Sequence, residues 1–263
     1  MYAFTYERPA TIQEAGQQVA NGAQALAGGQ TMLAAMKQRL MQPEKLVDLS
    51  QIKDLQGIKK DGNNLVIGAM CTHQTVETNA DVKTLIPAIA ALAGGIGDRQ
   101  VRAMGTIGGS VANNDPAACY PSAVLALDAT IHTNQRTIKA ADFFQGMYAT
   151  ALKPGELITA IAFPIPKKAA YAKFKQPASR FALVGVFVAD TSNGARVAIT
   201  GASNGVFRHP GLEAALSSSF TPGSVQNVTI DTQSLNSDLH ASAAYRANLI
   251  KVQTQRAVQQ AIG

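Results

Sequence analysis

Two glycine-rich turns hold the residue types in this chain best suited to gripping a ligand. The first is Ala27, Gly28, Gly29, Gln30 and Thr31, which follows a short apolar run and precedes a stretch of helix formers. Glycine lets the backbone take positive φ and lets a ligand or another chain segment come close. A helix that begins directly after such a turn offers unpaired amides and partial positive charge, which suit a phosphate. The second turn is Gly105, Thr106, Ile107, Gly108, Gly109 and Ser110, where two hydroxyls add donors to the amides. Asn113, Asn114 and Asp115 follow as candidate partners for ribose or ribityl hydroxyls. Neither turn matches the GxGxxG dinucleotide fingerprint or a P-loop. One amide-lined turn can hold one phosphate, and two can close on a pyrophosphate from both sides. With each charge-assisted hydrogen bond contributing roughly 1.5–3 kcal/mol, several of them hold a dinucleotide firmly. Taken singly, each turn also reads as a plain structural turn without a ligand.

The elements that must position these turns follow from periodicity and breakers. Residues 2–6 alternate as a short strand. Thr11 opens a capping box with Glu14, and Ile12, Ala15 and Val19 follow at helical spacing until Asn21-Gly22. Residues 23–27 form an apolar strand, Thr31 is placed to cap a helix over 32–41 that Pro43 closes, and residues 45–50 read as a strand. From Leu55 onward the texture changes to a hairpin around Asp61-Gly62, with Leu65, Val66 and Ile67 in the return strand. Residues 81–93 read as a buried helix that Pro87 kinks or restarts. Residues 94–116 are a glycine-rich passage expected to be irregular, of the kind that carries function. Residues 122–133 read as helix or strand running into a strand, and residues 143–166 as a loop and a strand ended by Pro164 and Pro166. Strands follow at 171–176, 181–190 and 195–202, the last two joined through Asn193-Gly194. Residues 238–262 read as a long helix with Tyr245, Leu249 and Val252 on one apolar face.

The totals narrow the function classes. A chain of 263 residues is comfortable for two or three compact lobes, and 46% hydrophobic with 15% charged residues suits a globular protein with a real core. The net charge of +6 is spread along the chain without a run, as on an ordinary basic surface, and would also favour a phosphate-bearing ligand or an acidic partner. Nucleic-acid binding needs a clustered footprint and stacking aromatics, whereas aromatics here are 6% and Trp is absent. Two cysteines, Cys71 and Cys119, exclude a disulfide framework, a thiolate zinc site and a four-cysteine iron–sulfur cluster. The four histidines are scattered, and His73 and His132 lie distant from both glycine turns in the sequence. The N-terminus does not read as a secretory signal, and no apolar run reaches the roughly 18 residues that would span a membrane. The expected location is the cytoplasm, unless a partner chain carries an export signal.

The two turns also belong to a longer pattern. "AGGQT", "GDRQVRAMGTIGGSVANNDPAA", "GELIT", "KFKQPASRFALVGV" and "LHASAAYRANLIKV" occur in this order across essentially the whole chain. Together they resemble the FAD-binding medium subunit of the molybdenum hydroxylases, the group of carbon monoxide dehydrogenase, xanthine dehydrogenase and related aldehyde or heterocycle oxidoreductases. The resemblance implies an α+β protein: an FAD-binding domain of the PCMH type over 1–165, made of two α/β subdomains at about 1–54 and 55–165, then a C-terminal α+β domain over 166–263. It implies that Ala27, Gly28, Gly29, Gln30 and Thr31, with Thr106, Ile107, Gly108, Gly109 and Ser110, hold the FAD pyrophosphate. Asn114 and Asp115 are implied partners of cofactor hydroxyls, and Leu157 offers backbone atoms to the adenine. Lys175 matches a family lysine near the flavin, with Lys173 as the other candidate, and Phe181 falls where relatives place a residue beside the isoalloxazine ring. One departure stands out: many relatives carry "DPAAD" where this chain has "DPAAC". Cys119 is a poorer acceptor than that aspartate for a cofactor hydroxyl, and it also reads as a small buried packing residue.

The role implied is electron transfer. In the family a separate molybdopterin-containing large subunit hydroxylates the substrate, and a [2Fe–2S] small subunit passes electrons to the FAD of the medium subunit, which delivers them to an external acceptor. No acid–base residue of this chain is then expected, and the lysine near the flavin is expected to favour its anionic reduced form. Two rival readings remain: a self-contained FAD-dependent oxidase or reductase of the same fold, and a non-enzymatic binding module whose glycine turns hold nothing.

Overall fold

The computed structural model describes residues 1–263. Its first lobe is a three-stranded parallel sheet, in which β1 (Thr5–Glu7) and β2 (Gln24–Leu26) flank β3 (Lys45–Asp48). Helix α1 (Ile12–Ala20) is capped as its sequence predicts, with Thr11 Oγ1 accepting from the Glu14 amide at 3.3 Å. Helix α2 (Met32–Lys37) departs from expectation at both ends. It stops at Lys37 rather than running to Met41, and Arg39 just beyond takes a left-handed φ of 61°. Thr31 stands at its N-cap, but in helical conformation, and its hydroxyl caps nothing. The core of this lobe is seven buried apolar residues, one of which, Leu157, comes from another part of the chain. So few residues cannot hold a three-stranded sheet on their own, and the lobe must lean on its neighbour.

The neighbour is a five-stranded antiparallel sheet. It comprises β4 (Ile58–Asp61), β5 (Asn64–Gly68), β6 (Thr130–Thr133), β7 (Thr137–Lys139) and, after a small hairpin of β8 (Phe144–Gly146) and β9 (Ala149–Thr150), the central β10 (Ile158–Pro164), in the order β4-β5-β10-β6-β7. Between β5 and β6 runs a series of short helices: α3 (His73–Thr78), α4 (Ala80–Leu85), α5 (Pro87–Gly94), α6 (Arg99–Met104), α7 (Ile107–Asn113) and α8 (Tyr120–Ala126), with α9 (Ala140–Phe143) following β7. Pro87 restarts the helix rather than kinking it, as the first residue of α5. The glycine-rich passage is not irregular. Asp98 caps α6 through the Val101 amide at 2.9 Å and Thr106 caps α7 through the Gly109 amide at 3.1 Å. Gly108 and Gly109 therefore lie in the first turn of a helix, where close packing outweighs their low helix propensity.

The remaining chain forms an antiparallel meander, β11 (Lys168–Lys175), β12 (Ala182–Thr191), β13 (Gly194–Thr200) and β14 (Phe207–Arg208), with α10 (Pro210–Ser218) and α11 (Ala243–Ile262). Residues 182–189 of β12 are buried without alternation. The reason is that α10 and α11 cover one face of this sheet while α5 and α8 cover the other. Helix α11 buries Arg246, Leu249, Ile250, Gln253, Thr254, Ala257 and Val258, so the face expected from Tyr245, Leu249 and Val252 is rotated, and Tyr245 is exposed. Arg246 explains the difference. Its guanidinium donates to the carbonyls of Leu183 and Gly201, each at 2.9 Å, and to Asp238 at 2.7 Å. Replacing Arg246 with Met leaves two buried carbonyls without donors and is expected to cost about 3 kcal/mol or more in chemical denaturation. A loss below about 1 kcal/mol would show that water takes over both carbonyls.

Candidate functional site

A cleft of about 940 Å³ opens where the first lobe, the helix series and the end of β11 come together, within the size range of small-molecule sites. Both glycine turns line it. None of the five consecutive amides from Gly28 to Met32 donates to a protein acceptor. Gln30 reinforces the bend by donating its side-chain amide to Gly28 O at 3.1 Å. The second turn touches the first directly. A Cβ on Gly28 would lie 2.0 Å from Met104 O and 2.7 Å from Gly105 Cα, and one on Gly109 would lie 3.4 Å from Ala27 Cβ. Only a glycine at position 28 lets the two backbones approach this closely.

The second turn contributes differently from expectation. It is pinned to the turn after β5 by an antiparallel bridge between Thr72 and Thr106, with His73 N donating to Gly105 O at 2.8 Å and Ile107 N to Cys71 O at 3.0 Å. Gly108 N donates to Ala69 O at 2.9 Å, while the amides of Gly109 and Ser110 bond the Thr106 side chain and carbonyl. Only the Thr106 amide remains free, joined by the Ser110 hydroxyl, which has no protein partner and lines the cleft. Ile107 is fully buried and does not line the cleft. Gly108 provides space rather than a donor, because a Cβ there would sit 2.6 Å from Ala69 Cβ and 2.7 Å from Ala69 O.

The other sequence-derived residues divide in the same way. Asp115 lines the cleft, accepting from the Ala117 amide at 2.8 Å and from the Tyr148 hydroxyl at 3.2 Å. Asn114 does not line it. This residue has a left-handed φ of 45°, and its carboxamide donates to Gly146 O at 2.7 Å and Ala149 O at 2.8 Å, fastening the β8–β9 hairpin that carries Tyr148. Leu157 lines the cleft with its side chain. Its amide is engaged by Asn134 Oδ1 at 2.8 Å and its carbonyl by the Asn134 amide at 3.0 Å. Of the two candidate lysines, Lys173 lines the cleft, and Lys175 is exposed outside it. Cys119 and Phe181 are both on the wall, Cys119 buried and Phe181 half exposed. The segment bearing Cys119 is held by Thr200, whose hydroxyl lies 2.7 Å from the carbonyls of Pro116 and Ala118.

Arg180 and His73 are among the cleft residues that sequence reasoning misses. Arg180 projects from the β11–β12 connection and donates to Gly97 O at 3.1 Å, closing the wall between sheet and helices. His73, remote from both turns in sequence, is packed beneath the second one, where a Cβ on Gly105 would meet its Nε2 at 2.6 Å. The signal for it was Thr72, which caps α3 through the Thr75 amide at 3.1 Å and so sets His73 as the first helical residue. Burial, with help from the nearby Arg102 charge, lowers the His73 pKa from 6.5 to about 4. The unfolded chain then binds a proton that the folded chain refuses between those two values. Stability is therefore full above pH 6.5 and falls as the pH drops toward 4, by about 3 kcal/mol for this one group. The slope of denaturation midpoints between pH 4 and 6.5 should flatten in His73→Gln, and an equal slope in both proteins would contradict the assignment.

The cleft's two acidic residues are already engaged. Glu156 is buried against Arg136 at 2.9 Å, and although burial alone would raise its pKa, hydrogen bonds from Arg136, the Lys153 amide and Thr133 hold it below the ordinary range. Asp115 keeps its charge, because Tyr148 is a neutral donor, while the donors without a protein acceptor include five amides of the first turn and one amide and one hydroxyl of the second; the cations of Lys173 and Arg180, which form no ion pair, stand on the same wall. This donor set suits a phosphate-bearing ligand. No three His, Cys, Asp or Glu side chains converge as metal ligands anywhere in the chain.

Comparison with known proteins agrees with this geometry. Residues 2–166 match the family described as the FAD binding domain in molybdopterin dehydrogenase. The carbon monoxide dehydrogenase medium chain of Afipia carboxidovorans is 38% identical over 204 residues, covering 74% of this chain and 71% of that one. The glyceraldehyde dehydrogenase medium chain of Sulfolobus acidocaldarius is 32% identical over 274 residues, covering 98% of each. Among solved structures, a chain of reconstituted CO dehydrogenase from Oligotropha carboxidovorans superposes with a TM-score of 0.91 at 32% identity, covering 99% of this chain and 98% of that one. The match extends over the whole molecule, C-terminal sheet included, and the chain belongs to the FAD-binding medium-subunit family of the molybdopterin dehydrogenases, as the flavoprotein subunit of an oxidoreductase.

Proposed function

We propose that this chain receives electrons from a [2Fe–2S] partner subunit and hands them to an external acceptor within a complex whose substrate is oxidised at a molybdopterin-containing large subunit. The observation that carries the reading is the run of unpaired amides from Gly28 to Met32 facing a turn that only a glycine contact brings alongside. These amides, with Thr106 N and the Ser110 hydroxyl, would hold the FAD diphosphate, and Gly108 and Ile107 would hold the second turn in place. Leu157 would pack on the adenine side, and Lys173 and Phe181 on the flavin side. Asp115 would accept from a sugar hydroxyl. Bound FAD supplies the two-electron store; the chain's own residues orient it and set the charge around it.

The division of labour among subunits is supported by two facts. Both cysteines of this chain are buried and unpaired, far too few thiolates for an iron–sulfur cluster of the ordinary kind. The two relatives are named as medium chains of enzymes for different substrates, carbon monoxide and glyceraldehyde, which suits a subunit that does not read the substrate. The proposed domain division is an FAD-binding domain over 1–165, with subdomains at about 1–54 and 55–165, and a C-terminal domain over 166–263; the family match ending at 166 and a core drawn wholly from residues beyond it support the last boundary, across which the largest core also packs Phe187, Ala189 and Ala198. The test is to purify the chain alone and in complex with its partners, each loaded with FAD. Substrate of the complex should bleach the flavin only when the partners are present. Turnover by the isolated chain would favour a self-contained oxidase or reductase instead.

A further inference from the structure

The cleft wall formed by β11 and the α8 approach holds a cation with no anion beside it. Lys173 Nζ donates to Gly95 O at 2.8 Å and to Arg180 O at 3.0 Å, and lies 3.5 Å from Cys119 Sγ. Two carbonyls and a thiol are uncharged partners, and none of the protein's ion pairs involves Lys173. The surrounding hydroxyls cannot supply a countercharge: burial pushes the phenols of Tyr120 and Tyr171 well above their ordinary pKa, and the neighbouring Cys119 adds to the rise for both. Of the cleft's two carboxylates, Glu156 is paired with Arg136, and neither it nor Asp115 forms an ion pair with Lys173. Cys119 is thus the side chain whose identity decides whether this ammonium is paired. An aspartate at the same position would reach Nζ at ion-pair distance from the same backbone.

Resting on the reading of the cleft as an FAD site, we propose that Cys119 sets the charge at the flavin side: by placing a thiol against Lys173, it leaves the ammonium uncompensated, so that the site prefers reduced, anionic FAD over oxidised FAD. Two-electron reduction with uptake of one proton adds one negative charge to the flavin, and that charge is what the free ammonium attracts. Cys119 acts here as a positioning residue through Lys173, without itself reacting.

The test compares the full-length wild type with Cys119→Asp, Cys119→Ser and Lys173→Met, each reconstituted with FAD, by measuring the affinity for oxidised FAD and for FAD reduced with dithionite. Cys119→Asp should lower the ratio of reduced to oxidised affinity by about tenfold, equivalent to a midpoint potential about 30 mV lower for a two-electron couple. Cys119→Ser should leave the ratio at the wild-type value, since a hydroxyl is as uncharged as a thiol. Lys173→Met should lower the ratio in the wild type and change it little further in the Cys119→Asp background. An unchanged ratio in Cys119→Asp, or a shift in Cys119→Ser as large as in Cys119→Asp, overturns the proposal. If Cys119→Asp does not fold, Lys173→Met decides, because a ratio held at the wild-type value contradicts an unpaired ammonium at the flavin. A wild type that binds neither form of FAD refutes the site itself, whereas binding of both forms with no effect of Cys119→Asp refutes only the role of Cys119.

Discussion

Gly28→Ala should strip the protein of FAD while leaving its far-ultraviolet circular dichroism near that of the wild type. The added methyl would lie 2.0 Å from Met104 O and 2.7 Å from Gly105 Cα, both backbone atoms that cannot swing aside. Relief requires the two turns to separate by more than an ångström, and a cofactor held from both sides loses its simultaneous contacts. Losing two charge-assisted hydrogen bonds at about 1.5 kcal/mol each corresponds to a hundredfold weaker FAD binding or more. Gly29→Val should act on the first turn alone, since Gly29 has a positive φ of 69° and a Cβ there would meet Leu33 Cδ1 at 2.8 Å. The measurement is flavin content per chain after gel filtration. Wild-type content in Gly28→Ala would mean that the turns need not touch to hold the cofactor.

Gly108→Val should lower stability even without FAD, and this separates it from Gly28→Ala. The side chain at 108 would enter space held by Ala69 Cβ, 2.6 Å from the new Cβ, and would push apart the hydrogen bond from Gly108 N to Ala69 O. Helix α7 carries Val111, fully buried in the largest hydrophobic core, so its displacement opens that core. Overpacking of this kind costs about 3 kcal/mol, which for a protein of this size lowers the melting temperature of the apo form by roughly 6–12 °C. Calorimetry of the flavin-free variant checks this. A melting temperature equal to the wild type, with FAD lost, would assign Gly108 a direct role at the ligand instead.

Much of this site could be read from the amino acids. Thr11, Asn21, Asp61-Gly62 and Asn193-Gly194 mark their turns through local hydrogen bonding and backbone freedom, and elements of the structure begin or end beside each. The two glycine turns were visible for the same reason. What stayed hidden depends on contacts distant in sequence. The amides of Ile107 and Gly108 look available until Cys71 and Ala69 are placed beside them. Asn114 looks like a sugar partner until the β8–β9 hairpin takes its carboxamide. Lys173 and Lys175 stand two apart on one strand and would share a face in a regular ladder, and only the register shift between Phe174 and Lys175 at the end of β11 separates them. The buried face of α11 includes Arg246 and Gln253, which no apolar periodicity would select.

The central claim is that the diphosphate of FAD sits against the first turn's open amides and the single free amide of the second. Amide hydrogen exchange of the full-length chain, read residue by residue with and without FAD, tests it most directly. FAD should newly protect the amides of Gly28 through Met32 and of Thr106, and leave those of Ile107 and Gly108 as protected as before, because the protein already bonds them. Protection confined to one turn, or absent from both while FAD is bound, would contradict the joint grip.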